Sequence, residues 1–167
     1  MTDFDALYAA HRDEVWRYFR RRAPADHEDL VTEVFLVAWR RREDVPREPL
    51  PWLYGVARKV LANHRRAGDR RDALTERAAA HAAPDPAEAV GLRADLARAL
   101  AALPDHDREL ILLVAWEGLT LAEAAAALGC RRGAAAVRLH RARRRLHTAL
   151  NDESGPALAA ITALEER

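Results

Sequence analysis

Residues 120–146 read TLAEAAAALGCRRGAAAVRLHRARRRL, and the order of residue types predicts two helices separated by a tight turn. Thr120 followed three residues later by Glu123 is the pattern of a capping box, each side chain serving an amide that a helix start leaves free. Ala125 is small enough to let two helices cross closely, and Gly129 can adopt the positive φ that a short interhelical turn requires. Beyond the turn, Ala135, Leu139, Ala142, Leu146 and Leu150 recur at helical spacing, so a helix from about Arg132 to Leu150 has one apolar stripe. Its remaining face carries Arg131, Arg132, Arg138, His140, Arg141, Arg143, Arg144 and Arg145. Together these make a helix-turn-helix candidate, whose second helix would read bases with its N-terminal residues and hold phosphates with flanking cations.

Charge supports that reading through its distribution rather than its sum. The 167-residue chain has a net charge of only +1, yet residues 131–150 hold seven basic side chains and no acidic one. Residues 73–130 hold 4 basic and 9 acidic side chains, and residues 151–167 hold 1 and 4, so the positive segment stands between two negative ones. Such a footprint is aimed at a polyanion. The predominance of Arg over Lys carries no mechanism, since a GC-rich genome would produce it equally well.

Working outward, every strong pattern is helical. Alanine supplies many of the apolar residues, Gly and Pro are few, and no stretch alternates with period two, so the fold class is all-α. Phe4, Leu7, Tyr8, Val15 and Phe19 form a stripe on a helix over 4–22, with Asp3 as its cap. Asp26, with Asp29 three residues on, is expected to cap a helix from His27 to about Arg42 that buries Leu30, Val31, Val34, Phe35 and Ala38. Residues 43–51 contain Pro46, Pro49 and Pro51 and are expected to be non-helical. Pro51 suits the first position of a third helix, which runs from Trp52 to about Ala67 and stops at Gly68. After a stretch without a stripe, Pro86 opens a helix to Leu103, Pro104-Asp105 restarts the chain, and Arg108 to Trp116 is densely apolar before Gly118 ends it. Two bundles of three and four helices follow, with boundaries at 1–72, a linker over 73–85, 86–151, and a tail over 152–167.

Several classes of protein are disfavoured. The chain shows no Gly-rich phosphate loop, no His/Glu metal spacing and no nucleophile–base set, so neither an enzyme nor a cofactor is expected. Cys130 is the single cysteine and reads as a small, half-buried turn residue. No segment approaches the roughly 20 apolar residues of a membrane helix, and the acidic start MTDFD is unlike a signal peptide, so a cytoplasmic location is expected. An ordinary helix-turn-helix repressor would leave residues 4–67 unexplained.

Residues 99–104 (ALAALP), 108–113 (RELILL) and 117–120 (EGLT), followed by 139–143 (LHRAR), resemble the −35-binding domain of the extracytoplasmic-function (ECF) sigma factors. Residues 29–35 (DLVTEVF) resemble the polymerase-docking helix of that family, and 52–54 (WLY) with 56–58 (VAR) resemble the helix facing the −10 element. The resemblance implies a promoter-directing initiation factor whose partners are core RNA polymerase, promoter DNA and, as a further candidate, an anti-sigma factor. It implies no membrane insertion, and the free chain is expected to be monomeric. Carried over by position, Asp29 and Glu33 would contact polymerase, with Leu30 and Phe35 packing nearby. Asp26 and Glu28 are expected only to favour the helix N-terminus. Trp52 and Tyr54 are aromatics able to stack on melted bases, Trp52 more readily explained as core, and Arg58, Lys59, Arg65, Arg66, Arg70 and Arg71 would line the −10 face. At the −35 element the expected residues are Arg131, Arg132, Gly133, Arg138, His140 and Arg141.

The departures fall on DNA-reading positions. Thr32 stands where the family usually has Gln, and Lys59 where it has Asn. Residues 133–138 read GAAAVR in place of the usual Gly-Thr-Val-Lys/Arg-Ser-Arg, so two hydroxyls and a cation are missing. The usual −35 code therefore does not carry over, and a second reading follows: a protein of this fold with reduced −35 reading that acts mainly on other proteins.

Overall fold

The computed structural model describes residues 4–74 and 92–153, with side chains described over 4–70 and 95–150. Within them seven helices occur in the order α1 (Phe4–Arg22), α2 (His27–Arg40), α3 (Pro49–Leu74), α4 (Leu92–Ala101), α5 (Asp105–Ala115), α6 (Leu121–Leu128) and α7 (Arg132–Glu153). They form two compact units, α1–α3 and α4–α7. The expected all-α class is found, with no strand among the described residues. The cap at Asp3, most of the linker 73–85, the helix start at Pro86 and the tail from residue 154 lie outside the described residues.

In the first unit each helix packs on the other two. The core is Leu7, Val15, Tyr18 and Phe19 from α1, the predicted stripe Leu30, Val31, Val34, Phe35 and Ala38 from α2, and Leu53, Tyr54, Val56, Ala57, Val60 and Leu61 from α3. Arg22 is buried here as well. Its guanidinium lies 3.8 Å from the centroid of the Tyr18 ring and donates to the Tyr18 carbonyl at 3.2 Å, so an aromatic face and a carbonyl replace water.

Three expectations for this unit are corrected. Helix α3 begins at Pro49 rather than at Trp52, and Pro51 lies inside it. A proline in the first turn loses only an amide that has no helical partner there, so neither ring breaks anything. Helix α3 also continues through Gly68 to Leu74. Gly68 lacks positive φ, and a Cβ built on it would meet nothing within 4 Å, so it is simply a weak helix residue between better ones. Finally, Asp26 precedes α2 at φ −117° and ψ 11° without a side-chain cap bond, so the expected pairing with Asp29 does not form. The Asp26 carboxylate stands instead 3.2 Å from Nε2 of His64 on α3.

In the second unit α4, α5 and α6 all pack on α7, and α5 also packs on α6. Pro104 stands at the start of α5, which begins at Asp105, where Pro104-Asp105 is expected to restart the chain. Arg108 then reaches back to the end of α4: Nε donates to the Leu100 carbonyl at 2.8 Å, and Nη2 donates to those of Ala101 and Leu103 at 2.8 and 2.9 Å. The side chain thus adds donors at a helix end that runs out of amides, where the Leu100 carbonyl also accepts from the Leu103 amide at 3.2 Å.

Candidate nucleic-acid interface

Helices α6 and α7 are joined by three residues, 129–131, and the local chemistry fixes how they meet. The amide of Glu123 donates to the Thr120 hydroxyl at 3.3 Å, while the Thr120 amide donates to the Glu123 carboxylate at 2.7 Å, completing the predicted capping box. The Thr120 hydroxyl also donates to that carboxylate at 2.6 Å; this bond, followed by the one from the backbone, holds the Glu123 carboxyl below its usual range. Gly129 takes φ 66° and ψ 34°, and the amides of Gly129 and Cys130 donate to the carbonyls of Ala126 and Ala125 at 3.1 and 2.9 Å. Ala125 is buried at the crossing, and Cys130 is half-buried in the turn as expected.

Thr120→Ala is expected to lower the stability of this unit by about 1 kcal/mol, read from denaturant unfolding at neutral pH. The sign of the pH dependence follows from the depressed Glu123 carboxyl. Its contribution is complete above the ordinary Glu range and is lost as pH falls through the lowered folded value, so the gap to Glu123→Ala should narrow in acid.

The predicted stripe Ala135, Leu139, Ala142, Leu146 and Leu150 is buried in full. The opposite side of α7 is therefore presented outward, and Arg131, Arg132, Gly133, Ala134, Ala136, Val137, Arg138, His140, Arg141, Arg144 and Arg145 are exposed. Arg145 Nη1 is 2.8 Å from Oδ2 of Asp107 on α5, so that arginine ties α7 to its own unit. Sequence reading missed this because the partners stand 38 residues apart.

On α3, Lys59, Arg65, Arg66 and Arg70 are exposed, and Arg58 is half-buried. Trp52, Lys59, Arg66 and Arg70 share the face opposite the buried stripe by their spacing. Trp52 is half-buried, with the Arg41 guanidinium 5.7 Å from its ring centroid. Tyr54 corrects the expectation of a stacking aromatic: it is 2% exposed and lies 5.5 Å from the Tyr18 ring. Its spacing to Ala57 and Leu61 places it on the core side. The side chain of Arg71 lies outside the described residues.

On α2, Asp29 and Glu33 are exposed, whereas Leu30 and Phe35 are core residues and present no surface. The apolar group beside the two carboxylates is Leu36, 49% exposed, and Trp39 stands nearby at 51%. Trp39 meets Phe4 edge-on at 5.0 Å, and Tyr8 meets Phe35 in the same way at 4.8 Å. Sequence reading passed over Leu36 and Trp39, although an apolar residue lying off a helix's buried stripe is itself a signal. Glu28 turns the other way, accepting from Trp16 Nε1 at 2.8 Å.

A capped helix-turn-helix with an acid-free arginine face, on one chain with a second helical unit, defines a DNA-binding regulator of transcription. Residues 7–71 match Sigma-70 region 2 and residues 93–146 match Sigma-70, region 4. The ECF RNA polymerase sigma factor SigF of Caulobacter vibrioides is 41% identical over 130 residues, 75% of this chain and 73% of that protein. The ECF RNA polymerase sigma factor SigL of Mycobacterium tuberculosis is 33% identical over 156 residues, 88% of each chain. The sigma factor RpoE from Bartonella quintana, solved with the anti-sigma factor NepR, shares the fold with a TM-score of 0.71 at 23% identity, covering 92% of this chain and 100% of that one. The chain belongs to the ECF sigma factors of the sigma-70 family, the initiation factors that direct RNA polymerase to promoters.

Proposed function

We propose that this sigma factor docks on core RNA polymerase through the outward face of α2, faces the −10 element with α3 and lays α7 in the major groove of the −35 element. The observation that carries this reading is α7, whose stripe is wholly buried and whose outward face holds arginines with no carboxylate among residues 131–150. Residues 1–72 would form the polymerase- and −10-binding domain, 73–85 the linker, 86–151 the −35-binding domain and 152–167 a tail. Lys59, Arg65 and Arg66 would meet the −10 strand with Trp52 beside them. Arg131, Arg132, Arg138, His140 and Arg141 would meet the −35 duplex. The protein would act in the cytoplasm, as a monomer when free, by binding rather than by catalysis. Among the described residues no helix is long and apolar enough to cross a membrane. An anti-sigma factor is the second protein partner of this reading, supported by exposed Tyr8, Leu36 and Trp39, which suit a protein surface.

Transcription from a promoter library by core polymerase, with and without the chain, tests the whole. Transcripts that appear only with the protein and share −10 and −35 sequences are expected; their absence would overturn it. For docking, Asp29→Ala with Glu33→Ala should weaken polymerase binding by at least about a hundred-fold with helicity unchanged, because two charge-assisted contacts at roughly 1.5–3 kcal/mol each sum to about 3 kcal/mol or more. Undiminished pull-down of polymerase would move the docking surface elsewhere.

A further inference from the structure

The outward face of α7 is apolar in the place where a recognition helix is ordinarily polar. Val137 is 52% exposed, and its spacing to Ala135, Leu139 and Ala142 sets it directly opposite the buried stripe. Gly133 stands one turn before it and Arg141 one turn after, and a Cβ built on Gly133 would meet nothing within 4 Å. The fold therefore does not demand a bare position there, and its effect is to let an approaching surface reach the Val137 methyls. Ala134 and Ala136 flank this strip and are exposed too.

The surface that covers the strip is decided by its rim. Arg138, Arg141 and Arg144 stand around it by their spacing, Arg131 and Arg132 lie at the start of α7, all five are exposed, and residues 131–150 contain no acidic side chain. Three guanidinium groups about a small apolar centre, with two more at the helix start, suit a polyanion with an apolar feature on its floor, not an apolar protein face. In the major groove of duplex DNA the one apolar feature of a base edge is the C5-methyl of thymine. Against a cytosine, adenine or guanine edge, valine would displace water from donors and acceptors and return no hydrogen bond.

Resting on the placement of α7 at the −35 element, the geometry points to a specificity role for Val137: it reads a thymine in that element by contact with the thymine C5-methyl. Sequence information at that base pair then comes from one methyl contact and from the cost of burying any other base edge.

The test uses core polymerase with the full-length chain and duplexes randomised over the −35 region. Enriched duplexes should share a thymine, and replacing it with deoxyuridine, which pairs identically but lacks the methyl, should weaken binding about four-fold, the worth of one buried methyl group. Val137→Ala should weaken binding to thymine DNA by a similar factor and abolish the difference between thymine and deoxyuridine. Cytosine at that position should be rejected and 5-methylcytosine partly restored. Enrichment without a shared thymine, indifference to deoxyuridine at every thymine, or a Val137→Ala protein that still distinguishes the two would each overturn the inference while leaving −35 binding intact. If no −35 sequence is enriched, the placement of α7 fails and this inference with it. Weakened polymerase assembly in Val137→Ala without any deoxyuridine effect would assign the strip to a protein contact and likewise overturn it.

Discussion

A full-length protein carrying Arg138→Glu and Arg141→Glu is expected to lose duplex binding by at least about a hundred-fold at moderate salt. Both side chains are exposed, Arg141 opposite the buried stripe of α7 and Arg138 on its flank, so reversal should change the field at the DNA without touching the core. Residues 131–150 would fall from +7 to +3. For the unaltered protein, neutralising about four to six phosphates predicts that log K falls with log salt at a slope of roughly −4 to −5. The double variant should show a shallower slope as well as a lower affinity. Arg98→Ala, which removes a charge from α4 and leaves α7 intact, should change affinity less than about two-fold. Fluorescence anisotropy on one duplex over a salt series reads all of these. A salt response that is flat, or equal in the double variant, would mean that the arginines of α7 do not meet phosphate.

The second unit was legible because its signals are local. Capping box, turn glycine and apolar stripe occupy one run of about thirty residues, and each acts within a turn or two of helix. The stripe of α2 was legible for the same reason. What failed to show was whatever depends on a neighbour brought close by folding. Asp26 and Asp29 have the spacing of a cap, yet the Asp26 carboxylate faces His64 of α3. Tyr54 has the position of a base-stacking ring in the family, yet Tyr18 of α1 covers it. Leu30 and Phe35 stand beside Asp29 and Glu33 in sequence, but the helical repeat turns them inward and turns Leu36 outward. Pro49 falls in a stretch expected to be non-helical and Gly68 at an expected helix end, but a helix absorbs either residue when its position or its flanks are suitable. Periodicity thus yields the faces of the helices, while which side chains remain available for function follows from the packing.

Arg108 shows the largest consequence of such a contact, and Arg108→Ala is expected to destabilise the α4–α7 unit by about 2–4 kcal/mol. The sequence offers Arg108 as one more charge at the head of an apolar helix. In the fold its planar fork joins two helices, giving three donors to the carbonyls of Leu100, Ala101 and Leu103 while Nη1 lies 3.2 Å from the Asp105 carboxylate. The bonds to Leu100 and Leu103 are partly buried, so water replaces them incompletely once the side chain is removed. Bonds from a charged donor are worth roughly 1.5–3 kcal/mol each, but one carbonyl is exposed and the three share one side chain, so their sum is an upper bound. A small domain has only about 5 kcal/mol to lose. Arg108→Lys keeps the charge but not the fork, and a single ammonium reaching one or two carbonyls should recover about half of the loss. Urea unfolding followed by circular dichroism should therefore show the transition of the second unit move down in both variants, further in Arg108→Ala, with that of α1–α3 unmoved. DNA binding should fall in the same order, because α4 and α5 form part of the support for α7. Equal stability of all three proteins would mean that water serves the end of α4 as well as arginine does.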